Sequence, residues 1–119
     1  MRRTSAGMAL AVAGFLVLAG CASSSGPCGP AALSLEATVT ADAMDPSALE
    51  ACKGQDVTIT VSSEIDAELH LHGYDIEEEL TSGATTDITF TADVAGQFIV
   101  ELHTDTGEVE VAVLTVREP

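Results

Sequence analysis

The sequence predicts an all-β sandwich of about seven strands, and three observations carry that prediction. Beyond Leu33 apolar residues alternate with polar ones, the two-residue period of a half-buried strand. Turn-forming clusters such as "TSGAT", "ADVAG" and "TDTG" interrupt the pattern roughly every eight to twelve residues, the spacing of a sandwich. No long stretch of this region has a helical period or an internal repeat.

Residues 1–20 are of another kind. Arg2 and Arg3 precede an apolar run from Met8 to Leu18 and then small residues. This is the layout of a secretory signal, and the run is too short for an ordinary membrane span. Its end, "LAGC" with Cys21, resembles the lipobox of bacterial lipoprotein signals. The resemblance implies cleavage before Cys21, lipidation of its thiol and a membrane anchor of two or more acyl chains (palmitate among them), enough for stable attachment. The expected location is the extracytoplasmic face of a cell membrane. Residues 21–32, with "ASSSGPCGP", then form a flexible tether, and residues 33–119 the folded domain.

The strands follow in order. "LSLEATVTA" alternates from Leu33, and "DPSALEACKGQ" breaks the alternation, which predicts a helical turn over residues 46–52. "DVTITVSS" puts Val57, Ile59 and Val61 on one face. "AELHLHGY" puts Ala67, Leu69 and Leu71 inward and Glu68, His70 and His72 outward. "DITFTAD", "GQFIVELH" and "EVEVAVLTV" complete the series. Tyr74, Phe90 and Phe98 are the only aromatics of the domain, so Val, Ile and Leu must supply its core.

Charge narrows the function. The chain has 4 Lys and Arg against 19 Asp and Glu. Loss of residues 1–20 removes Arg2 and Arg3 and gives 2 − 19 = −17 with histidines neutral. Such a surface repels phosphate backbones, which excludes nucleic acid as a partner, and it attracts cations. Lipidation of Cys21 leaves Cys28 and Cys52, two thiols that in an exported protein are expected to pair. "DIEEEL" lacks the oxygen spacing of a dedicated calcium loop and reads as a solvated edge. No nucleophile elbow or Cys–His pair is present, so the chain is not expected to be an enzyme.

The order of "GQDVTITV", "LHLHGYD" and "FTADVAGQFIVELH" resembles the cupredoxins, over nearly all of residues 33–118. The resemblance implies a Greek-key β-sandwich and puts His72 at a family copper ligand. It puts Leu102 where a blue-copper member carries its cysteine, and no cysteine follows Cys52 and no methionine follows Met44. Without thiolate there is no blue centre, and the electron-transfer role does not carry over. What remains is His70, His72 and His103, with Glu68 and Glu101 beside them: imidazole and carboxylate donors suited to Cu(II) or Zn(II). Copper is the first candidate ion, through His72, His70 and His103. The alternative is a metal-free binding or assembly module of the cell envelope, in which His70 is solvated, His72 holds the turn at Gly73 and His103 sits on the rim. The protein partner is unknown on either reading.

Overall fold

Alternation becomes two sheets in the computed structural model, which describes residues 28–119. The expected signal, Cys21 and most of the tether lie outside the described residues. Nine strands form: β1 (Ala32–Val39), β2 (Met44–Asp45), β3 (Ala48–Cys52), β4 (Asp56–Ser63), β5 (Ala67–Leu71), β6 (Ile76–Leu80), β7 (Thr85–Thr91), β8 (Gly96–Thr104) and β9 (Gly107–Arg117). One sheet has the order β2-β1-β4-β7 and the other β3-β9-β8-β5-β6. The chain passes repeatedly from one sheet to the other, and β1 with β4 and β3 with β9 pair in parallel. No helix occurs among the described residues.

The inward residues are those the alternation selects. Val57, Ile59 and Val61 of β4 are buried, as are Ala67, Leu69 and Leu71 of β5 and Val100 and Leu102 of β8. Burying a Val or Leu side chain stabilises by about 1.5–3 kcal/mol, and repetition over both inner faces makes the core sufficient without tryptophan. The gap left between Met44, Leu49, Ile59, Leu69, Ile88 and Val100 measures about 10 Å³. It is wholly apolar and no larger than one water-sized probe, so it holds no ligand. Any binding site must therefore be sought on the outside.

Two expectations are corrected. The helical turn over residues 46–52 does not form: Ala48–Cys52 is a strand, parallel to β9 from Ala48↔Val113 to Cys52↔Arg117. Leu49 and Ala51 point into the core, and their burial in the sandwich overrides the helical propensity of "ALEA". The strand count also rises to nine. β2 is a two-residue strand, and "IEEEL" pairs with β5 as the outermost strand of its sheet. Its glutamates leave that edge a poor template for a further strand.

Cys28 and Cys52 form the expected disulfide, with Cα atoms 5.7 Å apart. Gln55, one of two buried polar residues, ties down the same region. Its Oε1 accepts from the Cys52 N–H at 2.8 Å, and its Nε2 donates to the carbonyls of Cys28 and Pro30 at 2.9 and 2.7 Å. With every polar atom of that amide satisfied, its burial costs little. The tether thus enters the domain through one covalent contact and two hydrogen bonds from Gln55. Reducing the disulfide should lower unfolding free energy by about 3.5 kcal/mol, the loop-closure entropy of a ring of about 25 residues, read from urea unfolding as a lower midpoint with a somewhat steeper slope as the unfolded chain expands.

Candidate metal centre

Register brings the histidines together. β5 and β8 are antiparallel neighbours, with Glu68 opposite His103 and His70 opposite Glu101. Residues directly opposite on paired strands share a face, so these four side chains stand together on the outer face of the five-stranded sheet. On the flanks, β6 sets Glu77 opposite His70 and Glu79 opposite Glu68, and β9 sets Glu110 opposite Glu101 and Glu108 opposite His103. Three imidazoles thus lie among six glutamates. Glu68–Glu79 and Glu101–Glu110 are like-charge pairs, a repulsive arrangement that a cation would relieve.

His70 occupies the middle. Its ring centroid is 4.1 Å from that of His72 and 5.8 Å from that of His103, which meets it edge-on. So roofed, His70 Nε2 is shut off from solvent and has no hydrogen-bond partner. His70 as a whole is partly exposed on the outer face, with this one nitrogen covered. A buried ring nitrogen without a partner costs about 1–3 kcal/mol.

Glu101 Oε1 links the other two histidines. It lies 2.7 Å from His103 Nε2 and 3.6 Å from His72 Nε2. On its far side His103 turns Nδ1 toward Glu68 Oε1 at 3.5 Å, and Glu108 Oε1 is 3.9 Å from Nε2. The hydrogen bond that His103 donates to Glu101 raises the pKa of His103 above its ordinary 6.5, with Glu108, Glu101 and Glu68 adding charge attraction against partial desolvation. The same bond, aided by His72, holds Glu101 below the ordinary 4.5.

His70, Glu101 and His103 offer donor atoms all within 4.8 Å of one another. Two ligands about 2.0–2.1 Å from one ion stand about 2.8–3.0 Å apart at a right angle and about 4.1 Å apart in line, so donors spread over up to 4.8 Å must draw together by several tenths of an ångström to share one ion. With the ion on Nε2 of His103, Nδ1–H would face Glu68, the carboxylate support that metal-bound histidines favour. His72 lies just beyond β5, with its side chain 45% exposed against 16% for Glu101. Its backbone N–H, not its ring, makes the local tie, donating to the Ile99 carbonyl at 3.0 Å. Nothing in the sequence marks Glu108 and Glu110, and Glu77 and Glu79 stand out there only as part of the "DIEEEL" edge, because strand register alone brings all four to this face. Leu102, at the position matched to the blue-copper cysteine, is fully buried in the core.

The turn after His72 is built around Gly73 and Tyr74. Gly73 has φ of 84°, and a Cβ there would collide with the Phe98 ring. Tyr74 packs on Phe90 and Phe98, and its hydroxyl donates to the Val94 carbonyl at 2.7 Å. Partial burial raises its pKa above 10.0. These contacts fix the strand end that carries His72.

No family model and no curated protein matches the chain. Solved structures do. An apo copper-binding protein solved by NMR aligns with a TM-score of 0.62 at 13% identity, over 74% of this chain and 90% of that one. The metal-binding domain of the Cu(I)-exporting P-type ATPase of Streptococcus pneumoniae D39 aligns with a TM-score of 0.59 at 16% identity, over 71% and 85%. The blue copper oxidase of Nitrosomonas europaea aligns with a TM-score of 0.60 at 16% identity, over 73% of this chain and only 39% of its own length. The fold is cupredoxin-like. At these identities the likeness establishes the cupredoxin-like architecture and leaves the chemistry to the residues of this chain.

Two predictions come from this geometry. By NMR, His103 should titrate above 6.5, and Glu101→Gln should lower its midpoint. The linked stability has a definite sign. The His103 contribution is full below pH 6.5 and is lost as pH rises through the raised folded value. The Glu101 contribution is present above pH 4.5 and is lost as pH falls through the depressed one. The ion-free domain should therefore gain most from this pair between those limits, and His103→Ala should flatten the alkaline side of the denaturation profile. Separately, Gly73→Ala should destabilise by about 2–4 kcal/mol, from the left-handed backbone plus the clash with Phe98.

Proposed function

We propose that this chain is a lipid-anchored, extracytoplasmic cupredoxin-like protein that binds copper, as Cu(II), at the outer face of its five-stranded sheet and delivers it. The observation that carries this reading is the buried, unpartnered Nε2 of His70, grouped with a carboxylate and a second imidazole at ligand spacing. His70, Glu101 and His103 form the inner set, and His72 closes it from the rim. Copper-binding proteins among the structures of the same fold favour copper over other divalent ions. Neutral imidazoles and one carboxylate suit Cu(II), whereas Cu(I) prefers the sulfur ligands that this face lacks. The surrounding glutamates draw the cation in and offset its charge.

The protein is not a blue-copper electron carrier on this reading. The only domain cysteines, Cys28 and Cys52, are joined to each other, so no thiolate remains for the charge-transfer bond of such a centre. Nor is it an enzyme: the site offers ion binding on an open sheet face without a cleft to exclude water. Attachment through Cys21 would keep the domain at the membrane.

Titration of the chain with Cu(II) tests the reading. One equivalent should bind and give a pale tetragonal spectrum without an intense thiolate band. Affinity should fall as pH drops through the histidine range, and at a higher pH for His103 than for a free imidazole, because its pKa is raised. His103→Ala and His70→Ala should each weaken binding by about tenfold or more, and His72→Ala by less, since His72 stands at the rim. This reverses the order that the family resemblance alone implies for His72. If the triple His→Ala variant binds one equivalent as tightly as wild type, the carboxylates alone are responsible. The metal-free envelope module is then the correct reading. The anchor has its own test: Cys21→Ser should abolish fatty-acid labelling and leave the protein unprocessed or released from the membrane.

A further inference from the structure

An open hollow of about 330 Å³ adjoins the metal centre on the side of Glu101 and His72, and another of about 310 Å³ adjoins it on the side of His103 and Glu68. The first is bounded by His72, Gln97, Ile99, Glu101 and Glu110, with Gly73 and Phe98 at its floor. Glu101 belongs both to the ligand group and to this wall, which His72 extends, whereas His103 lines the second hollow. An ion held by His70, Glu101 and His103 therefore has the first hollow in front of it, with His72 at the margin. Cu(II) takes four or more ligands, and on the side of the first hollow the only further imidazole is the exposed ring of His72, with the Gln97 amide and the Glu110 carboxylate farther along the wall.

We propose that this first hollow is the seat of an exogenous ligand to the bound ion, and that this ligand is a neutral aromatic nitrogen donor, the imidazole of an exposed histidine on the protein that receives the metal. This rests on the metal-binding reading above and adds to it the chemistry of release. Electrostatics select the class. Glu101 and Glu110 line the hollow, and Glu68, Glu77, Glu79 and Glu108 stand on the same face. An anionic ligand such as a carboxylate, chloride or azide must approach against that field. A neutral imidazole meets no such penalty and is a strong donor to Cu(II). Its flat ring also fits beside Ile99, which is 37% exposed at the wall. Transfer then proceeds by exchange. The incoming nitrogen bonds to the ion before any protein ligand leaves, His72 is displaced first because it is the most exposed, and copper stays Cu(II) throughout with no electron moved.

The test uses the full chain loaded with one equivalent of Cu(II), titrated with free imidazole and in parallel with azide, and followed by electron paramagnetic resonance. Imidazole should give a new Cu(II) spectrum while copper still elutes with the protein. Azide should need a concentration higher by about tenfold or more, equivalent to about 1.4 kcal/mol of discrimination. Ile99→Trp, an outward strand position that accepts an aromatic, should fill the hollow. It should weaken imidazole binding by about tenfold and leave Cu(II) affinity unchanged. The proposal is overturned if imidazole strips copper into solution with no mixed spectrum, if azide binds as well as imidazole, or if Ile99→Trp alters neither. Should wild type hold Cu(II) no better than the triple His→Ala variant, the metal centre itself is refuted, a result distinct from all of these.

Discussion

The pairing register between β5 and β8 is the constraint on which the rest depends. With Glu68 opposite His103 and His70 opposite Glu101, Leu69, Leu71, Val100 and Leu102 fall together in the core. A slip of β5 by one residue would turn Glu68 and His70 inward and Ala67, Leu69 and Leu71 out to water. The hydrophobic effect that holds the sandwich together therefore also sets the spacing of the donor atoms. Neither strand contains the site alone: β5 brings His70, β8 brings Glu101 and His103, and the sheet joins them.

One break in this regularity shapes the surroundings. Between β8 and β9 the register shifts, with Val100 opposite Ala112 but Glu101 opposite Glu110, so Val111 is the extra residue of a bulge. Val111 and Ala112 are both buried as a result. Ahead of the bulge β9 turns Glu108 and Glu110 to the outer face, and beyond it Val113, which is exposed opposite Ile99. The bulge thus divides the face into an acidic half around the histidines and a more apolar half beside the hollow. Bulges commonly re-aim side chains in this way.

Much of this was legible in the sequence, for a physical reason. Alternation is a local property, so the inward faces of "DVTITV" and "AELHL" were read correctly, and so was the outward direction of His70 and His72. The Cys28–Cys52 pair followed from compartment and number. What depends on contacts across the fold was not legible. "PSALEAC" becomes a strand because β9 offers it a partner, and nothing within those residues says so. The roles of the histidines were also hidden. His72 carries the family resemblance, but it is His70, packed beside the two other rings, whose Nε2 is shielded from solvent. The glutamates of β6 and β9 join the site only through register, and the slip at Val111 lies inside "EVEVAVLTV", whose pattern gives no sign of it.

The same packing explains why an ion would be bound on an outer face at all. The space between the sheets is filled and apolar, and a charge there would face a desolvation cost of several kcal/mol that no partner offsets. On the outer face an ion would keep one side toward water, while its other side would meet donors already held by the sheet. Those donors come from two strands, so ligation links β5 to β8 in addition to their hydrogen bonds. An ion that binds only the folded arrangement stabilises it by RT ln(1 + [L]/Kd), about 2.7 kcal/mol at a hundredfold excess over Kd. The ion-free face, with Glu68 against Glu79 and Glu101 against Glu110, carries the opposite sign. Repulsion that weakens the empty domain is turned to attraction in the loaded one, so the acidic surroundings favour the bound state twice.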